Sequence, residues 1–194
     1  MFVEHRNARP TVHRDAYVAP TATVIGDVTI AAGARILHGA VVSAEDSAVT
    51  IGVNTIVMEN ALVRARAGHP VSIGDSVMIG PHAHVNGATV ADEVFIATGA
   101  SLFPGSSVGV GAEVRINAVV QVNTHLEPGA VVPIGWVAVG TSILSPDKHD
   151  EIWAIQRSLD FPGTVYGVGR DVSMKELRRR QSEFYGEHRG DREI

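Results

Sequence analysis

The sequence predicts an all-β chain wound as a parallel coil and followed by C-terminal α-helices. Three observations carry this prediction: an aliphatic residue returns every six positions, a small or β-branched residue stands four places after it, and 20 glycines among 194 residues supply turns. A period of six matches neither the period of two of a plain strand nor the 3.6 of a helix. It fits a solenoid in which three six-residue faces make one coil of about 18 residues.

The aliphatic heads of the repeat run in register through residues 11–142, which we take as the coiled domain. The heads are Val18, Val24, Ile30, Ile36, Val42, Ile51, Val57, Val63, Ile73, Ile79, Val85, Val90, Ile96, Leu102, Val108, Val114 and Val120. We expect the heads to fill the axis of the coil. The small residues, with Ala67 and Thr89 among them and Asp46 as the exception, should sit where the wall turns.

Three breaks interrupt the register. Nine residues separate Val42 from Ile51 and ten separate Val63 from Ile73, whereas the block from Val85 to Val90 is one residue short. Loops of this kind leave the wall of a solenoid and can overhang a neighbouring surface. The insertions are therefore the first places to look for function.

A helical segment over residues 145–187 is expected to pack on the coil. Residues 145–161 read as a helix that packs Trp153 on the coil, 161–170 as a loop, and 173–187 as a helix opened by a capping box of Ser173 and Glu176. Arginines 178–180 read as a solvated helix face. The last residues are expected to fray.

The composition excludes several classes of function. The net charge is −5 with no basic block, which argues against a nucleic-acid partner, and no cysteine is present for a disulfide or a thiolate metal site. No apolar run is long enough to span a bilayer. We therefore expect a cytoplasmic protein without a membrane partner.

Counting through the breaks predicts which side chains lie above one another in adjacent coils. Residues that directly follow a head form one column, and those second after a head form another. The first column is Ser43, Arg64, Asn86, Phe103 and Gln121, and the second is His38, Glu59 and Pro81. Neighbours within a column are one strand spacing apart, about 4.8 Å.

Several segments resemble the γ-class carbonic anhydrase branch of the hexapeptide-repeat proteins. They are VIGDVTIAAGARI (24–36), the loop before VSIGDSVMIG (71–80), and the helical tail. The resemblance implies a left-handed parallel β-helix and a homotrimer. Members of that branch hold zinc or iron with three histidines at the contact of two subunits.

The chain departs from the branch at the metal. The segment VMENALVR puts Arg64 at the first ligand position, and GPHAHVNG puts Pro81 at the second and Asn86 at the third. The Arg-Gly-Asp triplet of the branch reads Ser-Ala-Glu at 43–45, and its Gln-Asp pair reads Met-Glu at 58–59. Arginine is always cationic and cannot ligate a metal. The resemblance therefore implies no conventional CO₂ hydration and no expected metal cofactor.

A small anionic or carboxylate ligand at the trimer contact is the first functional hypothesis. Arg64 would clamp it, because a guanidinium binds carboxylates in a bidentate manner, with Asn86 as its neutral partner. Gln121 would wall the cleft. Glu59, beside His38, would act as a base or neutralise Arg64. The alternative is a structural ion pair of Arg64 with Glu59 across the trimer contact.

Other hypotheses rest on histidines. A displaced zinc or iron site would use His82 and His84, which stand two apart, with a third histidine from a neighbour; otherwise His82 hydrogen-bonds in the interface and His84 caps a corner. An acyltransferase of the same fold would use His69, in the inserted loop, as its base with CoA as cofactor. A non-enzymatic assembly subunit is the remaining reading.

Overall fold

The computed structural model describes all residues from 1 to 194, and the chain folds as a left-handed parallel β-helix with three walls. The first wall contains β1 (Phe2–Glu4), the start of β4 (Thr23–Ile30) and of β6 (Val41–Ile51), β8 (Leu62–Ala65), β11 (His84–Asn86), β14 (Ser101–Leu102), β17 (Val119–Val120) and β20 (Val137–Val139). The antiparallel strands β21 (Ser142–Leu144) and β22 (Arg192–Glu193) pair with β20 and β1 of this wall.

The second and third walls complete the coil. The second contains β2 (Thr11–Val12), the ends of β4 and β6, β9 (Val71–Ile73), β12 (Thr89–Val90), β15 (Ser107–Val108) and β18 (His125–Leu126). The third contains β3 (Tyr17–Val18), β5 (Arg35–Ile36), β7 (Ile56–Val57), β10 (Met78–Ile79), β13 (Phe95–Ile96), β16 (Glu113–Val114) and β19 (Val131–Val132). The coil therefore starts at β1, ahead of the expected boundary at residue 11.

The axis of the coil is filled as the repeat predicts. Every head from Val24 to Val120 is buried, and the same period continues through Leu126, Val132 and Ala138. These aliphatic side chains form one continuous core along the coil. Their removal from water is the main stabilising term of the fold.

The corner between the first and second walls is irregular. Gly26 pairs with Ala44 and Val28 with Val49, so residues 45–48 bulge outward opposite Asp27 alone. The neighbouring coils turn there through residues 5–8 and 66–69, each turn closed by an isolated bridge. We call residues 5–8, 45–48 and 66–69 the irregular corner.

The register break also changes which small residues face inward. Ala67 is exposed in the turn of 66–69, in agreement with the prediction that small residues sit where the wall turns, whereas Thr89 is exposed in strand β12. Ala65 and Ala88 are buried instead. Ala65 is the last residue of β8 before the inserted turn, and Ala88 stands in the shortened block directly before β12.

Three α-helices and a 3₁₀ turn follow the coil. They are α1 (His149–Gln156), α2 (Phe161–Tyr166), α3 (Met174–Gly186) and the 3₁₀ turn Glu187–Gly190. The cap of α3 agrees with the prediction, since the Ser173 hydroxyl accepts from the Glu176 amide at 3.2 Å. The expected loop at 161–170 instead contains α2, which the Asp160 carboxylate caps from the left-handed region of φ.

Two further expectations about the tail are wrong. Trp153 is 56% exposed and does not pack into the coil, because α1 turns Ile155 rather than Trp153 toward Gly140. The terminal residues do not fray, because β22 pairs with β1 and the Ile194 amide donates to the Phe2 carbonyl at 3.0 Å. The C-terminus is thus returned to the first coil.

Candidate functional site

Arg64 lies between Ser43 and Asn86 in the first wall, as the column count predicts. The register pairs Arg64 with both residues. The side chain of Arg64 is 20% exposed, and its Nε has no hydrogen-bond partner. The Oδ1 atom of buried Asn86 and the Oε1 atom of Gln121 are also without partners. The column therefore carries unsatisfied polar groups, which native proteins rarely tolerate without a reason.

Glu45 of the irregular corner and Tyr185 of the C-terminal tail contact the guanidinium of Arg64. Glu45 Oε1 lies 3.6 Å from Arg64 Nε, and the Tyr185 hydroxyl accepts from its Nη2. The guanidinium carbon stands 4.9 Å from the centre of the Tyr185 ring, in cation–π range. The carboxylate beside Arg64 within this chain is Glu45, and the pairing with Glu59 across a trimer contact stays a prediction.

His38 and Glu59 lie at a different corner, between the third and first walls. The Nδ1 atom of His38 is 2.8 Å from the Thr21 hydroxyl. The main-chain carbonyl of Glu59 accepts from the His82 amide at 3.0 Å, and the Glu59 carboxylate has no ion-pair partner. Pro81 follows in the same column, because Ile79 pairs with Val57 and each stands two places before its member of the column. This column stacks as predicted but does not join Arg64.

His82 and His84 differ in their surroundings. His82 is exposed, with a φ of 58°, on a turn that favours asparagine or glycine. His84 stands in β11 opposite Leu62, with its ring 6.2 Å from that of Phe103, so it does not cap a corner. Burial, together with the charge of Arg64, lowers the pKa of His84 below the usual value. Within the chain no third ligand joins the two histidines.

His69 closes the turn of 66–69 in the irregular corner. Its amide donates to the Arg66 carbonyl at 2.8 Å. Partial burial, and then the charge of Arg66, lower the pKa of His69, so its imidazole is neutral near pH 7. It faces a cleft of about 140 Å³ that Gly163, Tyr166 and Gln181 also line. A neutral imidazole beside a cleft can act as a base.

A cluster at the irregular corner was missed by sequence reasoning. His5 and His188 stack with ring centres 4.5 Å apart, and both present Nδ1 to Asp191, at 2.6 and 2.8 Å. His188 Nε2 lies 3.0 Å from Glu45 Oε2, whereas Glu45 Oε1 accepts from the Ser43 hydroxyl at 2.9 Å. The insertion after Val42, which contains Glu45, was the only feature of the sequence that pointed to this cluster. His5 lies near the start of the sequence and His188 near its end, so no local spacing relates them.

Contacts within the cluster shift the pKa values of His188 and Asp191. Burial opposes the charged form of His188, but hydrogen bonds and attraction from Asp191 and Glu45 raise its pKa above the usual value. Burial likewise opposes the charged form of Asp191, yet bonds from His188 and His5 lower its pKa. A raised pKa of His188 and a lowered pKa of Asp191 are both expected when the two form an ion pair, and Glu45 stabilises the charge of His188 as well.

The tail is held on the irregular corner by three arginine–aromatic contacts. Arg6 stands 5.1 Å from the Phe184 ring centre, Arg64 stands 4.9 Å from that of Tyr185, and Arg66 stands 5.7 Å from that of Tyr166. Arg6 comes from the first coil, whereas Arg64 and Arg66 stand two residues apart in a later one. The C-terminal helices therefore cover the corner where the register breaks.

Comparison with known proteins gives relatives over about half of the chain. No family model matches. The mitochondrial γ carbonic anhydrases 1 and 2 of Arabidopsis thaliana are 42% and 37% identical over 99 residues, which is 48% of this chain and 36% of each relative. The chain thus spans little more than a third of the curated relatives that it matches.

Among solved structures, a Bacillus cereus protein provisionally named as an acetyltransferase has the same fold. Its TM-score is 0.61 at 19% identity, over 80% of this chain and 90% of that protein. At this identity the likeness concerns the fold alone.

Two findings concern the cellular location of the protein. None of the helices is long and apolar enough to cross a membrane. The Arabidopsis relatives are mitochondrial, so they give no support to the cytoplasmic location, which stays a prediction. The chain is thus similar to γ carbonic anhydrases over about half of its own length, and it folds as a left-handed β-helix of six-residue repeats.

Proposed function

We propose that this chain is a subunit of a homotrimer that binds, or acts on, a small anionic or carboxylate compound beside Arg64, and that it is not a conventional CO₂ hydratase. The single observation that carries the proposal is a pair of buried atoms without a hydrogen bond, Arg64 Nε and Asn86 Oδ1, on adjacent strands. An unsatisfied donor on a fixed cation is a place for an anion.

The residues at the family's ligand positions do not fit its metal. Arg64 and Asn86 stand side by side in the first wall, with a guanidinium where zinc would need a neutral imidazole. Pro81 has no donor atom in its side chain. A fixed positive charge takes the place of the ion, and the same charge can attract the carboxylate part of a substrate without activating water.

The trimer is part of the proposal. The resemblance places the family site at the contact of two subunits, and the exposed fraction of Arg64 leaves room for a neighbour to complete the cleft. Phe103, against which Phe161 of the tail packs with ring centres 5.7 Å apart, and Gln121 would form its wall. Sedimentation of the purified full chain tests the trimer directly.

Thermal stability with a panel of small anions tests the ligand. We expect bicarbonate, formate, acetate or a larger carboxylate to raise the melting temperature of the wild type but not of the Arg64→Gln variant. Arg178→Gln, on the exposed face of α3, is the matched control and should keep the response. An unchanged response in Arg64→Gln would contradict the proposal, as would CO₂ hydration by the wild type after zinc is added.

His69 favours a second candidate function, a CoA-dependent acyltransferase. The observation behind it is the lowered pKa of an imidazole that faces a cleft. The cleft within one chain is small for CoA, so a neighbouring subunit would have to extend it. Stabilisation by CoA, lost in His69→Gln, would favour this function. No response to CoA, to any anion or to a metal would favour an assembly subunit without a ligand.

A further inference from the structure

The cluster of His5, Glu45 and His188 has the donor set of a transition-metal site. One ligand atom of each residue lies within 4.8 Å of the others. His5 and Glu45 are buried, whereas His188 is half-buried. Two imidazoles and one carboxylate are the ligands of catalytic zinc and of non-haem iron sites.

An unpartnered nitrogen points to a ligand. The side chain of His5 is 1% exposed, its Nδ1 contacts Asp191, and its Nε2 has no hydrogen-bond partner. Because Asp191 is a carboxylate and accepts at Nδ1, the lone pair of His5 is placed on Nε2. A buried lone pair without a donor costs free energy unless something fills it.

Asp191 orients both imidazoles in the manner of an outer-shell carboxylate. Its two oxygens lie 2.6 Å from His5 Nδ1 and 2.8 Å from His188 Nδ1. Metal-ligating histidines commonly donate their second N–H to such a carboxylate, which selects the tautomer and raises ligand basicity. One side chain does this here for two rings. His5 Nε2 has no partner, and His188 Nε2, which contacts Glu45 Oε2 at 3.0 Å, would exchange its proton for the ion.

The remaining contacts of Glu45 are compatible with an ion. Ser43 and Arg64 occupy the side of Oε1, and Oε2 faces His188. A cavity of about 240 Å³ borders His5, Glu45 and Asp46 and leaves space for a water ligand. Arg64 stays on the far oxygen of Glu45, and the nearby Asp46 and Asp191 offset the added charge.

We propose that His5, Glu45 and His188 bind one divalent first-row transition ion such as Zn²⁺, Fe²⁺ or Co²⁺ through two nitrogens and one oxygen, within a single subunit. The site is distinct from the family's three-histidine site, and its ligands come from the N-terminal turn, the first insertion and the C-terminal tail. It does not rest on the anion proposal. The ion would join both ends of the chain to the irregular corner.

Titration of the full chain, purified without a histidine tag and stripped with chelator, tests the site. We expect about one Zn²⁺ per subunit and a visible absorption spectrum of low coordination number for Co²⁺. Addition of Zn²⁺ should shift the NMR ring signals of His5 and His188 in the wild type. His188→Gln should lose the ion, and Asp191→Asn should weaken it by about 10–100-fold.

Matched variants separate this proposal from the others. His84→Gln and His82→Gln should keep the ion, and Arg64→Gln should keep it while losing the response to carboxylates. Absence of stoichiometric binding to the wild type overturns the proposal and leaves the cluster a hydrogen-bonded anchor for the tail. Retention in a folded His188→Gln, or loss in His84→Gln, also overturns it, the latter in favour of a displaced site.

Discussion

The third wall and the irregular corner differ in how regularly successive coils repeat. In the third wall seven short strands pair in one unbroken register, and the heads are buried in every strand from Ile36 onward. At the irregular corner the length of the turn varies, from Asp27 alone to the four residues 45–48 in the next coil, and ionisable side chains gather there. The breaks in the repeat hold the cluster of His5, Glu45 and His188, whereas Arg64 and Asn86 stand side by side in the first wall.

Truncation of one head in the third wall should have the largest effect. Ile79 is fully buried between Val57 and Ile96 of the adjacent coils. We expect Ile79→Ala to lower the free energy of unfolding by about 2–5 kcal/mol, because it removes buried methylenes and leaves a cavity. Urea denaturation measures the change.

The control for Ile79 is Ile134→Ala, since Ile134 is 65% exposed. Its effect should stay within about 0.5 kcal/mol. Equal effects of the two variants would mean that the heads do not carry the stability of the coil.

Two glycines with similar backbones sharpen the comparison. Gly33, at a regular turn, has a φ of 71°, and Gly68, at the irregular corner, has a φ of 72°. A Cβ at Gly33 would overlap the Asn54 side chain of the next coil, whereas at Gly68 it would meet nothing. We expect Gly68→Ala to cost about 1 kcal/mol, the cost of the left-handed backbone alone, and Gly33→Ala to cost more. Thermal denaturation of both variants would contradict this if Gly68→Ala were the more damaging.

Tyr185 tests how firmly the tail is tied to the irregular corner. Tyr185→Phe removes the acceptor of Arg64 but keeps the ring beneath the guanidinium. We expect a loss of about 1 kcal/mol in the free energy of unfolding. Tyr17→Phe, at an exposed tyrosine of the third wall, should have almost no effect in the same chemical denaturation. No difference between the variants would argue against the bond.

The pH dependence of His84 is the smallest effect. Because its pKa is lowered by burial and then by Arg64, the unfolded chain takes up the proton first. The contribution of His84 to stability is therefore complete above the unfolded value of about 6.5 and is lost as the pH falls toward the folded pKa. NMR titration should show the pKa of His84 rising part of the way in Arg64→Gln. A fall in that variant would contradict the cause assigned to Arg64.

Much of the coil and one column of the site could be predicted from the sequence. The heads, the stacking of Arg64 on Ser43 and Asn86, and the capped start of α3 follow from local spacing, and the structure confirms them. The short helix α2 could not be foreseen, because its residues read as a turn. The partner of Arg64 could not be foreseen either, since Glu45 lies in an insertion whose path spacing does not define.

What the sequence alone determined is the coil, because a period of six dictates which residues face the axis and which lie above one another, whatever happens elsewhere. The tertiary structure alone decided which charged groups meet. His5 and His188 come together only because β22 pairs with β1 and α3 brings Tyr185 onto Arg64. Contacts between distant segments depend on how insertions and tails pack, and no local period records that packing.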